Sequence, residues 1–557
     1  MRTHNNMRRQ TPRSRAVRIA GVVGALFSLL LLTAMVEDTV QRMQRGEQLL
    51  AAVYQSILNE YVEDVSADEL FRAGVKGMLE QLDPYAELIE ERHNSEVDVL
   101  ARGVYSGLGI KVRNRDGSHV VASIYDEIRP LTNLRLGDEI LRIDSTDLRA
   151  SRVSDLRSLL RGQPGTTVQL LVRRPGIADS LELRVLRRTV SIDPLPLADI
   201  SDDGILYLKL IRFSRSLVDS VSTALRRAND NGSVRGIVLD VRGNPGGLLE
   251  AAVAVADYFV EPGTPIVQMR GRQPSYARVY HAKNEPIDAD VPIVVIVDAH
   301  SASASEILAG ALQDLDRAVV IGERTFGKGL VQTLVPLNDN AWLKLTTSRY
   351  YTPSGRCIQR YVYPEGRASR VSAVAEGPEF HTLRLKRSVR ESNGILPDVT
   401  LTRDSLAPLL ACLDRHDAYF SFVVRHINRT GITKRPKIDG AVRADFRVYA
   451  DSLSDCEGDP LSTALRSVRE EAVRQGLSRA GQRHIDDVDK EVRRLGTRQF
   501  DDAWDAIRAR LTREFIFQLE GERARMQHDY ILDASVLRAR HIVSDENSYE
   551  QAMLHGH

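Results

Sequence analysis

The stretch VPIVVIVDAHSASASEILAGALQDLDRAVVIGERTFGKGL, residues 291–330, decides the fold class of this chain. Its opening run, VPIVVIVDA, is almost unbroken in apolar residues, which suits a strand covered on both faces. The next segment carries Ser303 and Glu306 in an S-x-x-E pattern, a helix-start signal. A second apolar run, AVVIGE, reads as another strand. Strand, helix and strand in that order form the repeating unit of an α/β core. The same alternation continues upstream. ILYLKL and RGIVLDV read as strands, LVDSVSTALRRAND and LLEAAVAVADYFV as helices, with the glycine turn RGNPGG between the second strand and its helix.

Gly322, Gly327 and Lys328 also fit G-x-x-x-x-G-K, the opening of a phosphate-binding loop. Such a loop continues with Ser or Thr and opens a helix whose amides hold phosphate. Here Gly329 follows, and LVQTLVPLNDNAWLKLTTSRYY alternates as a β-hairpin with its turn at 338–340. A nucleotide site is therefore disfavoured. A lysine in a surface glycine turn and a lysine placed for other chemistry both remain open from this string.

Other features of the whole chain bound the function. The 557 residues suffice for several domains, and a net charge of +1 argues against a nucleic-acid partner. Of the three cysteines, Cys357, Cys412 and Cys456, at least one is unpaired within the chain; a Cys412–Cys456 bridge stays open. The thirteen histidines are scattered without metal-ligand spacing, so no metal or cofactor is expected. Arg2, Arg8, Arg9, Arg13, Arg15 and Arg18 precede an uncharged apolar run at 19–36, near the lower length limit for a membrane span. The expectation is a single-pass anchor with residues 1–18 cytoplasmic and the bulk outside. A cleaved signal peptide is the rival, although the small residues that precede a cut are poorly supplied.

Four further regions follow. Residues 37–102 read as helices, including a capping-box pattern from Ser66 to Glu69. Residues 103–188 read as short strands with glycine turns and one helix. Residues 189–400 are the α/β core, and residues 401–557 are helical and charged. In that last region Trp504, Ile507, Leu511, Phe515 and Leu519 share one helical face, which suggests packing or self-association. The fold class is thus α/β and multidomain.

Two strand-to-helix junctions could carry chemistry, because sites collect at the carboxyl edge of such sheets. At the first, the amides of Gly246 and Gly247 could stabilise an oxyanion, or the glycines could serve the turn alone. At the second, Ser303 is either a helix cap or a nucleophile; its neighbours Ala302 and Ala304 leave room for a substrate chain. His300 directly precedes the serines and ends the strand more naturally than it serves as a base.

Taken together, SASASE, GKGLVQ and RGNPGG, with LDPYA, YYTPSGRCIQ and NGILPDVTL, resemble the carboxy-terminal processing (tail-specific) proteases over about residues 45–400. These are serine peptidases with a Ser-Lys dyad. The resemblance implies Ser303 as nucleophile, Lys328 as general base and Gln332 as its positioning partner. It further implies an oxyanion hole from the Ala304 N–H and a glycine amide of Gly246 and Gly247. Lysine can act as a base only when neutral, and apolar burial favours that form. The string TFGKG supplies no carboxylate to oppose it. Residues 103–188 resemble a PDZ domain: Leu136-Gly137-Asp138-Glu139-Ile140 matches its most recognisable turn, and Leu108, Gly109 and Ile110 stand where a peptide's terminal carboxylate is held. The segment RPLTNLRLGDEI departs from the pattern, being short and lacking the small Ala-Gly pair. The expected partners are proteins with exposed apolar C-terminal tails and the membrane; an adaptor protein and a homo-oligomer stay open. The alternatives are a catalytically inactive PDZ scaffold and a nucleotide-binding enzyme.

Overall fold

A computed structural model describes residues 40–90, 103–115, 117–148, 153–230, 232, 234–287, 289–338, 341–360, 377–391, 394–401, 407–453 and 460–555. The apolar run at 19–36 and Cys456 lie outside the described residues. Among those described, no helix is long and apolar enough to cross a membrane.

Among the described residues, 40–88 form a compact unit of their own. It contains a helix over 40–60 and the helix Ala67–Leu79. Ser66 caps the latter, its side chain accepting from the Glu69 N–H at 3.4 Å. The S-x-x-E pattern thus starts a helix here as expected.

In the second unit, the α/β core is a six-stranded sheet. Its order is Leu197–Ile200, Ile205–Lys209, Gly236–Asp240, Ile293–Val297, Val319–Gly322 and Val399–Thr400. Only the first pairing is antiparallel. The two central strands are buried along their whole length, as their unbroken apolar runs require. One face packs against the helices Arg215–Asp230, Leu249–Asp257 and Ala304–Asp314. The opposite face is covered by Tyr530, Val536, Ala539, Ile542, Val543 and Met553 from the end of the chain. The helices Glu522–Leu532, Ala534–Ser544 and Glu546–His555 therefore complete the core, a packing role within the chain itself.

A second sheet runs Ile110–Arg115, Ser118–Ile124, Glu139–Ile143, Thr167–Arg173 and Leu181–Leu186, all antiparallel, with the helix Val153–Leu160 after its third strand. Its apolar core takes in Phe420, Val424 and Phe517 from the C-terminal helices. Asp126 accepts from the N–H groups of Glu522 and Arg523 at 2.9 and 3.0 Å, capping the start of a C-terminal helix. Arg129 donates to the carbonyls of Phe517 and Gln518 at 2.8 and 2.9 Å, where the preceding helix ends. On the helix Trp504–Glu520, Ile507, Leu511 and Phe515 are fully buried in a third cluster with Trp504 and Leu519 packed against it. The shared face read from the sequence is the packed one.

Candidate active site

The strands Gly236–Asp240 and Ile293–Val297 are parallel neighbours, with Asp240 paired to Ile296. Their carboxyl ends therefore deliver RGNPGG and SASASE side by side. Ser301 donates its hydroxyl to the Val241 carbonyl at 2.8 Å, and Ser305 donates to the Asn244 carbonyl at 2.9 Å. The Ala302 N–H also donates to Asn244 O, at 3.0 Å. Both outer serines are fully buried and hold the two loops together. Ser303, between them, is half-buried and adopts φ +54° and ψ −113°. A non-glycine residue at positive φ is strained, at a cost of order 1–3 kcal/mol, and persists only where its surroundings over-determine it.

Those surroundings are two buried side chains. The Glu306 carboxylate, fully buried, accepts from the Ser303 N–H at 2.8 Å. It also accepts from the Lys328 N–H at 2.9 Å, the Gly327 N–H at 2.7 Å and the Thr325 hydroxyl at 2.6 Å. Burial raises its pKa above the ordinary glutamate value, and these donors oppose the rise. Tyr350, also fully buried, donates its hydroxyl toward the Ser303 carbonyl at 3.1 Å and the Lys328 carbonyl at 2.5 Å. Thus the string TFGKG lacks a carboxylate, but the fold brings Glu306 to its backbone.

Gly246 lies against this turn with φ +102°. A Cβ there would sit 2.7 Å from the Ala302 carbonyl oxygen and 2.9 Å from the Ser303 Cβ, so glycine alone fits. Its N–H donates to Asn244 Oδ1 at 2.9 Å. Its carbonyl accepts from Phe213, and the Leu248 N–H donates back to Phe213, so this bridge leaves the Gly247 N–H to point elsewhere. Ala304 is the first residue of its helix, where an N–H has no intrahelical acceptor. Among the bonds described, the N–H groups of Gly247 and Ala304 have no acceptor, while that of Gly246 is engaged.

Lys328 is half-buried at the end of a glycine-rich turn that packs closely on 359–360. The residues after it form the strand Leu330–Asn338, antiparallel to Ala341–Tyr351. No helix opens there, so the geometry of a phosphate-binding loop is missing. Gln332 lies on this strand just past a register shift at Val331 and donates to Thr346 Oγ1 at 3.2 Å. His300 is exposed, and its N–H donates to Asp298 Oδ1 at 3.0 Å.

In the smaller sheet, Leu108 is buried in the core, Gly109 has φ +68°, and Ile110 is half-buried. Ile110–Arg115 is the terminal strand of that sheet, the position from which a peptide could extend it. Sequence reasoning missed Glu306 and Tyr350 as site residues. The first was visible only as a helix-start glutamate; the second stood unremarked in YYTPSGR.

The profile of Peptidase family S41 matches residues 204–366, which contain Ser303, Lys328, Gln332 and Tyr350. The carboxy-terminal-processing protease of Bartonella bacilliformis is 33% identical over 345 residues, covering 61% of this chain and 79% of the relative. The carboxy-terminal processing protease CtpB of Bacillus subtilis is 28% identical over 459 residues, covering 78% of this chain and 92% of the relative. Among solved structures, the photosystem II D1 C-terminal processing protease is 27% identical, covers 62% of this chain and 85% of its own, and superposes with a TM-score of 0.39. On this identity and coverage, the chain belongs to the carboxy-terminal processing proteases, serine peptidases of family S41.

Proposed function

We propose that this peptidase is a membrane-anchored endopeptidase that cleaves extracytoplasmic proteins after capturing their C-terminal tails, by a Ser-Lys mechanism. The observation that carries this reading is the strained Ser303, whose backbone shares Glu306 and Tyr350 as hydrogen-bond partners with Lys328. Ser303 Oγ attacks the scissile carbonyl as the Lys328 amine takes its proton. The N–H groups of Gly247 and Ala304 stabilise the oxyanion. Collapse of this intermediate expels the amine, which leaves with the proton from Lys328. Water then hydrolyses the acyl-enzyme, with Lys328 again as base. Gln332 orients the lysine in the active form; its bond to Thr346 belongs to the resting form. Leu108, Gly109 and Ile110 hold the tail carboxylate while the tail pairs with the strand Ile110–Arg115. The arginine-flanked run at 19–36 anchors the chain, with the catalytic part facing out of the cytoplasm.

The test compares the parent with Ser303→Ala and Lys328→Ala on a peptide ending in a free apolar carboxylate and on its amide. Both variants should lose proteolysis while staying folded, and the amide should bind more weakly to the parent. Residual rates within tenfold of the parent for either variant would remove the dyad. Equal binding of acid and amide would remove the proposed mode of tail capture.

A further inference from the structure

We propose that Tyr350 is a positioning residue for the reaction, through a hydroxyl that fixes the main chain of the nucleophile and of the base at once. The inference rests on reading Ser303 and Lys328 as the reacting pair. Four hydrogen bonds carry it. Ser303 and Lys328 each give their N–H to Glu306, at 2.8 and 2.9 Å. Each also turns its carbonyl to the Tyr350 hydroxyl, at 3.1 and 2.5 Å. The two reactive residues are thus bracketed on both sides of their peptide units by the same two side chains. Tyr350 grips the lysine segment a second time, because its own N–H donates to the Gly329 carbonyl at 3.0 Å.

The chemistry of the place supports a purpose for the hydroxyl. Tyr350 is packed within the main apolar cluster of the core, where phenylalanine would fill the same space without a polar group to satisfy. The hydroxyl is aimed at two carbonyls that belong to the two reactive residues. Loss of the hydroxyl would remove one bond from the carbonyl of each reactive residue. The turn that carries both should loosen, and a displacement near 1 Å at a reacting group costs about a hundredfold in rate.

The experiment uses the full chain and the substitution Tyr350→Phe, with melting temperature and near-ultraviolet dichroism reporting the fold. Expected are a fall in kcat of about tenfold to a hundredfold and a KM within about twofold of the parent. Labelling of Ser303 by a fluorophosphonate probe should slow by the same factor. The rise of kcat with pH should also move along the pH axis, because it reports the environment of the base. A residue of merely structural importance would lower the melting temperature but leave kcat per folded molecule and the pH profile unchanged. That result overturns the proposal. If Tyr350→Phe does not fold, 3-fluorotyrosine at position 350 keeps the ring and alters the hydroxyl's acidity. A changed kcat at constant KM then supports the role, and identical kinetics overturn it. Active Ser303→Ala or Lys328→Ala protein would instead defeat the underlying dyad, whatever Tyr350 does.

Discussion

The junction that carries Ser303 and Lys328 and the loop at 108–110 are both irregular backbone, but they are held in opposite ways. The junction at 298–306 and 325–329 is braced from within the peptidase core, by the buried side chains of Asn244, Ser301, Ser305, Glu306 and Tyr350. The region around the loop at 108–110 is braced from outside, by residues some three to four hundred positions later. Arg113 pairs with Asp417, Arg115 donates to Ser421 and to the His416 carbonyl, and Asp126 and Arg129 engage 517–523. The internal brace is made of fully buried side chains, so removing one member strands the others. The external brace is half-exposed and shared among many contacts, each worth little alone. Failure should be abrupt in the first region and graded in the second.

The sharpest break is Glu306→Gln. An amide NH2 in place of one oxygen would meet two of the four donors that now point at the carboxylate, stranding up to two buried N–H groups at about 1–3 kcal/mol each. Proteolysis should fall at least about a hundredfold as the turn loses its register. A Glu306→Gln enzyme with parental kcat would show that the internal brace does not set the site.

Ile542→Ala tests the outer cover of the core sheet. Ile542 is fully buried against Val238, Val294 and their neighbours, so truncation should cost about 2–5 kcal/mol. Denaturant unfolding with parallel activity measurement is the check. A loss confined to the C-terminal helices, with the peptidase core intact, would mean that the core does not need its second cover.

Asp240→Asn should cost somewhat less, about 2–3 kcal/mol, because its partners Lys209 and Arg242 reach partly into water. The effect depends on pH in a definite sense. Burial would raise the Asp240 carboxyl, but Lys209 and Arg242 outweigh it and hold the pKa below the ordinary aspartate value. A depressed folded-state pKa adds stability above the unfolded pKa, and that stability is lost as pH falls through the folded value. The gap in stability between parent and Asp240→Asn should be full at pH 7 and shrink only below about pH 4. A gap that closes between pH 7 and pH 5 would contradict this.

The mildest break is Asp126→Ala, which removes the cap at the start of the helix Glu522–Leu532 and should cost about 0.5–2 kcal/mol. Proteolysis of a short tail-less peptide should be unchanged, while nicking of the 103–188 region by an added protease should quicken. An Asp126→Ala enzyme as impaired as Glu306→Gln would erase the contrast between the two regions.

Local signals carried much of this molecule. The buried strands were legible because their apolar runs are unbroken, and the hairpin after Gly329 because its side chains alternate. The two junctions were legible as glycine-rich and serine-rich ends of strands. Ser303 itself was ambiguous, since S-x-x-E alone favours a helix cap and only the small neighbours Ala302 and Ala304 leave room for a nucleophile. In the fold Glu306 holds the Ser303 N–H, as in a capping box, and its remaining acceptor capacity binds the lysine turn.

The amino-acid sequence by itself determined the α/β alternation, the hairpin, the amphipathic faces of the C-terminal helices and the family, because each depends on spacing within a few residues or on short strings in order. Only the tertiary structure decided that Ser301 and Ser305 are tethers while Ser303 is left half-buried, and that the Gly246 amide is engaged. It alone brought Tyr350 to two carbonyls and laid the last helices over the core sheet. Apart from the local bond between Gly246 and Asn244, those outcomes join residues from 22 to about 300 positions apart. Their geometry follows from which apolar faces bury each other and which buried polar groups then find partners, and neither is encoded in any one segment of the chain.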